Sequence, residues 1–80
     1  MSHSKTFQYY VSDLGKLLLE SAREARAARE KATGPKREFE SGRTMAYYEV
    51  ISTMRGQAIA FGLPLKDVGL EGVDPDNELI

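Results

Sequence analysis

Cysteine is absent from these 80 residues, and histidine occurs once, as His3. Those two gaps remove disulfide staples, thiolate zinc sites, cysteine nucleophiles and nearly all histidine metal chemistry. They also exclude carboxylate-bridged di-iron bundles, which need Glu-x-x-His on their helices. No apolar run approaches the roughly 20 residues of a membrane span. The stretch MSHSKTFQYY lacks the charged-then-apolar pattern of a signal peptide. The expectation is a soluble, cytoplasmic protein without a cofactor. A single domain of this size, residues 1–80, gains only about 3–5 kcal/mol from one core, so helpers are usual. With disulfides and metals gone, oligomerisation is the helper that remains.

What is present is helical periodicity. Phe7, Tyr10, Val11, Leu14, Leu17, Leu18, Ala22, Ala25, Ala28 and Ala32 recur at three- and four-residue steps, the period of one helical face. The body LLLESAREARAAREKA is dense in strong helix formers. This predicts a first helix over about residues 4–32, although TFQYYV at 6–11 has strand-like composition. Thr33, Gly34 and Pro35 form a turn: glycine can take the left-handed C′ conformation and proline cannot continue the ladder. A second helix is predicted over about 36–61, with Phe39, Ala46, Tyr47, Val50, Ile51, Met54, Ala58 and Phe61 on its apolar stripe, and Gly62 and Pro64 stopping it.

So short a connection between two long helices forces an antiparallel hairpin. The remaining segment, 62–80, holds Leu63, Leu65, Val68, Leu70, Val73, Leu79 and Ile80 among glycines and prolines, too apolar for a free tail. Pro64 and Pro75 each offer a start for a single helical turn, and Asp74 has N-cap chemistry. The expected fold is therefore all-α: a two-helix hairpin with an irregular or single-turn-helical C-terminal segment, pairing with a second copy into a four-helix bundle. Phe7, Leu14, Leu17, Leu18, Phe39, Val50, Ile51, Met54 and Phe61 are the expected bundle core.

Charge is near balance overall, at −1, but uneven along the chain. Arg23 to Arg43 carries seven basic and four acidic residues; the last nineteen residues carry Lys66 against Asp67, Glu71, Asp74, Asp76 and Glu78. The polarity fits either a partner surface or an acidic tail lying against the basic elbow of a neighbouring subunit. The interleaved acids and a pI of about 5.8 argue against nucleic acid as the partner of the Arg23–Arg43 region.

Within the second helix, SGRTMAYYEVIST concentrates the unusual residues. Gly42 is expected to face Ala25, Ala28 and Ala32 across the hairpin, small against small. Tyr47 and Tyr48 point about 100° apart and cannot both face one core, so one of them is expected to meet a second subunit, as is Tyr10. Arg43 and Glu49, with Glu20 and Gln57, are the expected polar groups near the core. DPDNE lacks the spacing, glycine and terminal glutamate of a calcium loop.

These readings predict a small dimeric protein-binding accessory or regulatory module that is not an enzyme. Its interface residues would be Tyr10, Gly42, Arg43, Tyr47, Tyr48 and Glu49, and its tail, through Asp67, Glu71, Asp74, Asp76 and Glu78, a recognition segment for a protein partner. The alternative is an inhibitor or antitoxin-like protein whose acidic tail masks a basic surface. A helical-bundle enzyme would instead need a concave pocket lined by Arg43, Glu49 and Tyr47 or Tyr48. That architecture is similar to dimers of the chorismate mutase type, whose arginine pattern this chain does not carry.

Overall fold

A computed structural model describes residues 3–80; Met1 and Ser2 of the expected domain 1–80 lie outside the described residues. Two long helices, α1 (His3–Lys31) and α2 (Gly34–Ala60), pack side by side as an antiparallel hairpin. Residues 6–11 are helical, not strand. Only Ala32 and Thr33 separate the helices. Thr33 is extended and Gly34 adopts φ 61°, so the left-handed residue opens α2. Arg37 strengthens the corner by donating through Nη1 to the Arg29 carbonyl at 2.9 Å, a second bond to an oxygen that also accepts from the Ala32 N–H at 3.2 Å.

α2 ends in a Schellman arrangement: Leu63 N–H donates to the Ala58 carbonyl at 2.8 Å and Gly62 N–H to that of Ile59 at 3.0 Å, with Gly62 at φ 70°. The chain then turns back along the hairpin. A 3₁₀ turn (Leu65–Val68) packs on both α1 and α2, and a single-turn helix α3 (Pro75–Glu78) packs on α2. Both short turns begin at the prolines, Pro64 as N-cap of the first and Pro75 as first residue of the second.

The tail is a structural third layer. Val68, Leu70, Val73 and Leu79 supply four of the eight residues in the buried core cluster, beside Leu19, Ala22, Ile51 and Ala58. Leu70, Leu79 and Ile51 are completely buried. Of the nine residues expected to form the core, only Ile51 is buried within one chain, while Leu18 and Met54 are half-buried. Phe7, Leu14, Leu17, Phe39, Val50 and Phe61 all remain on the surface.

The periodicity names a helix's apolar side but cannot say which arc of a broad stripe the tail covers. The tail covers the arc around Gly15. A Cβ there would collide with the Val68 carbonyl, and one on Gly69, at φ 77°, with the Ser12 carbonyl. The close approach expected of Gly42 is corrected: Gly42 is exposed with nothing within 4 Å of where its Cβ would stand. Gly15 and Gly69 make the tight contact instead. No helix among the described residues is long and apolar enough to cross a membrane.

Candidate functional site: an open helical face opposite the tail

Counting about 100° per residue places each side chain around its helix. On α1, the residues that meet the tail are Ser12, Gly15 and Lys16 near the 3₁₀ turn, and Arg23, Arg26 and Arg29 farther along. Phe7, Leu14, Tyr10 and Leu17 lie about 80° to 160° round from Gly15 in one direction, beyond the arc that faces α2. On α2, Tyr48 meets the tail, and Met54, Phe61, Val50, Phe39 and Ala46 lie about 60° to 140° round from Ile51, away from Tyr48 and in the same rotational sense as the α1 set. Because the helices are antiparallel, both sets fall on the same side of the hairpin. The result is one apolar face on the side away from the tail, with Phe7 66%, Leu17 53%, Phe39 64% and Phe61 77% exposed.

Tyr47 and Tyr48 straddle this division. Tyr48 turns to the tail side, where its hydroxyl donates to Asp76 Oδ1. The neighbouring carboxylate raises the Tyr48 phenol above its ordinary range, and partial desolvation adds to the shift. Tyr47 is half-buried toward the open side, with the Arg43 guanidinium 5.9 Å from its ring centroid. Arg43 also donates through Nη1 to Glu40 Oε1 at 2.6 Å. Tyr10 is exposed on the open face, 6.5 Å from the Phe7 ring centre to centre.

Glu49, expected near the core together with Glu20 and Gln57, is exposed, as those two are. The buried polar residues are Glu40 and Thr44, the latter donating to the Glu40 carbonyl at 2.8 Å. Neither stood out in the sequence. Their signal is positional: both fall on the same arc as Ile51 and Ala58, within about 20°.

The tail acids separate into two groups. Glu78 accepts from Arg23 Nη2 at 3.1 Å and from the Asp74 backbone N–H at 2.8 Å. Those two bonds, the Asp74 N–H first, hold its carboxyl below the usual carboxylate range. Asp74 accepts from Asn77 Nδ2 at 2.6 Å and Asp76 from Tyr48. Asp67 and Glu71 are exposed. Arg26 Nη1 donates to the Glu78 carbonyl at 2.9 Å and Arg29 Nη2 to that of Ile80 at 3.2 Å, so three arginines one turn apart on α1 clamp the tail. The basic elbow and acidic tail, expected to meet between subunits, meet within one chain.

Among the described residues no cluster of three histidine, cysteine or acidic side chains is placed to hold a metal ion. The clefts are open and shallow, and the one beside the interhelical turn is lined by Lys31, Lys36, Glu24 and Glu40 together with alanines. Arg43, Glu49 and the adjacent tyrosines do not converge: Arg43 and Tyr47 share one side, Tyr48 takes the other, and Glu49 faces solvent. No protein-family model matches the chain, and no curated protein or solved structure matches it either.

Proposed function

We propose that this chain is a small dimeric helical module that works by binding protein, with the open face as the surface on which a second copy docks. The observation that carries the reading is the uncovered apolar face itself. The tail packs on one side of the hairpin, where Tyr9, Met45 and Ile59 stay exposed at its edges, and leaves Phe7, Leu14, Leu17, Phe39, Val50 and Phe61 uncovered on the other, and exposed contiguous apolar patches of this kind mark interaction sites. Area supports a partner of the same size. A monomer of 8.9 kDa typically exposes about 4,800 Å². This chain exposes 5562 Å². The excess is close to the roughly 800 Å² that each partner buries in a standard interface. The molecule is a slab of 53 × 22 × 16 Å, and its broad face is large enough for that contact.

With that face occupied by a second copy, the outward surface of α2 and the exposed acids Asp67 and Glu71 remain for a further protein partner. An inhibitor-like action through the tail draws less support, because Asp74, Asp76 and Glu78 already make hydrogen bonds inside the chain. Light scattering on a sizing column tests the reading directly. The expected result is a mass of two chains, held down to low micromolar concentration. A mass of one chain throughout overturns it.

A further inference from the structure

The tail divides at Glu71 and Gly72, both exposed, with Gly72 at φ 74° and nothing within 4 Å of where its Cβ would stand. Before this point the chain is locked to α1 by the backbone contact of Gly69 with Ser12. After it, residues 73–80 form a unit that carries its own shape. The Asp74 N–H donates to Glu78 Oε2, the Asn77 amide to Asp74 Oδ2, and the N–H groups of Glu78 and Leu79 to the carbonyls of Asp74 and Pro75. None of those bonds involves a helix of the hairpin. The unit lies on the hairpin as a peptide lies on its receptor. Val73, Pro75 and Leu79 are buried anchors. Tyr48 reads the Asp76 carboxylate and Arg23 that of Glu78, while Arg26 and Arg29 hold the main-chain carbonyls of Glu78 and Ile80. Main-chain bonds that hold any sequence, beside side-chain pockets that choose one, are the division of labour found in peptide recognition.

The fit of this unit is incomplete. Arg26 Nε and Arg29 Nε are buried and have no hydrogen-bond partner; Arg55 Nε shares that state, but Arg55 makes no hydrogen bond to residues 73–80. Arg26 meets only a neutral carbonyl, and Arg29 divides its Nη2 between the Ile80 carbonyl at 3.2 Å and Glu30 Oε1 at 3.0 Å. A buried donor without an acceptor is costly, and a guanidinium binds a carboxylate, through two parallel bonds, more strongly than it binds a carbonyl. From this we infer that the arginine groove is a peptide-binding site which the chain's own residues 73–80 fill as a weak substitute. Its ligand is a segment of a protein partner with the same proline-led acidic turn and leucine anchor, followed by a carboxylate. Ile80, 44% exposed beside the Arg29 guanidinium, occupies the position from which that carboxylate reaches the clamp. Exchange does not empty the core, because the incoming segment brings the apolar anchors that the outgoing one withdraws. The groove lies on the tail side, away from the open face, so the inference stands whether or not two copies dock there.

The test is a titration of the isotope-labelled full chain with two unlabelled peptides, acetyl-VDPDNELI-amide and acetyl-VDPDNELE-amide, followed by backbone amide resonances. A segment joined through so short a link competes at an effective concentration on the order of millimolar. The identical peptide should therefore reach half-displacement at about that concentration, with changes confined to residues 73–80 and the hairpin residues that face them. The glutamate peptide should do so at about tenfold lower concentration. Arg29→Lys, which keeps the charge and removes the planar fork, should cancel that advantage. The site is overturned if neither peptide moves the 73–80 resonances at about ten millimolar, or if they move only together with those of the whole chain, which is unfolding and not exchange. Equal displacement by the two peptides in the unaltered chain overturns the carboxylate as the missing element. A solution mass that the identical peptide lowers would show the groove holding the segment of a second copy, and would overturn its assignment to a partner protein.

Discussion

At the residue scale, the glycines of this chain divide by what surrounds them rather than by where they fall in the helices. Gly15, Gly42 and Gly56 are all helix-interior, where glycine costs about 1 kcal/mol relative to alanine. Nothing lies within 4 Å of a Cβ on Gly42 or Gly56, so Gly42→Ala should recover part of that cost and raise the melting temperature by a few degrees. At Gly15 the same change meets the Val68 backbone carbonyl, which belongs to a packed 3₁₀ turn and cannot swing aside as a side chain would. Overpacking of this kind costs about 1–3 kcal/mol, more than the helix propensity gained. Gly15→Ala should therefore lower the melting temperature, and thermal melts of the two variants that moved the same way would contradict the assignment of Gly15 as the contact point. Nothing in the sequence distinguishes the two glycines, because the neighbour that matters is more than fifty residues away.

At the element scale, the tail is held by burial of its apolar side chains and by a set of charge-assisted bonds whose protonation limits differ. Glu78 titrates lower in the folded chain than in the unfolded one, so its contribution is complete above its ordinary pKa and is lost as pH falls through the depressed value. Tyr48 titrates higher when folded, so its contribution is complete below about 10 and is lost as pH rises through the raised value. The two windows overlap around neutrality. Urea midpoints should fall on both sides of a neutral plateau, and Glu78→Gln should flatten the acid limb while Tyr48→Phe flattens the alkaline one. An acid limb of the same slope in Glu78→Gln would show that other carboxylates govern it. The need to cover the tail's leucines and valines was legible in the sequence, as were the two proline-started turns; the arginine clamp formed by Arg23, Arg26 and Arg29 was not.

At the scale of the whole molecule, a hairpin with one face packed under its tail and one open face has unequal tolerance for charge. Leu70 and Leu79 lie on the underside of the tail and are fully buried, whereas Val50, 42% exposed, lies in the centre of the open face. Val50→Asp should leave the helical circular dichroism spectrum of the chain in place, since it alters no buried contact of the single hairpin. In the proposed dimer it would also put a charge into the apolar contact layer, a costly arrangement. The expected outcome is a folded species with the mass of one chain. A variant that kept the two-chain mass would move the interface elsewhere.

The sequence by itself determined the helices, the corner at Thr33 and Gly34, the stop at Gly62 and the two short turns after the prolines, because each depends on backbone preferences and on a periodicity read within a few residues. It also showed, through Tyr47 and Tyr48, that α2 has to serve two surfaces. Only the tertiary structure decided which surface is which. Gly15 rather than Gly42 marks the close approach, Glu40 and Thr44 rather than Glu49 are buried, and the acidic tail meets its own chain's arginines. The physical reason is common to all of these. A broad apolar stripe fixes how much surface a helix must bury, while the partner of each arc is chosen by shape and charge on segments far away in the chain.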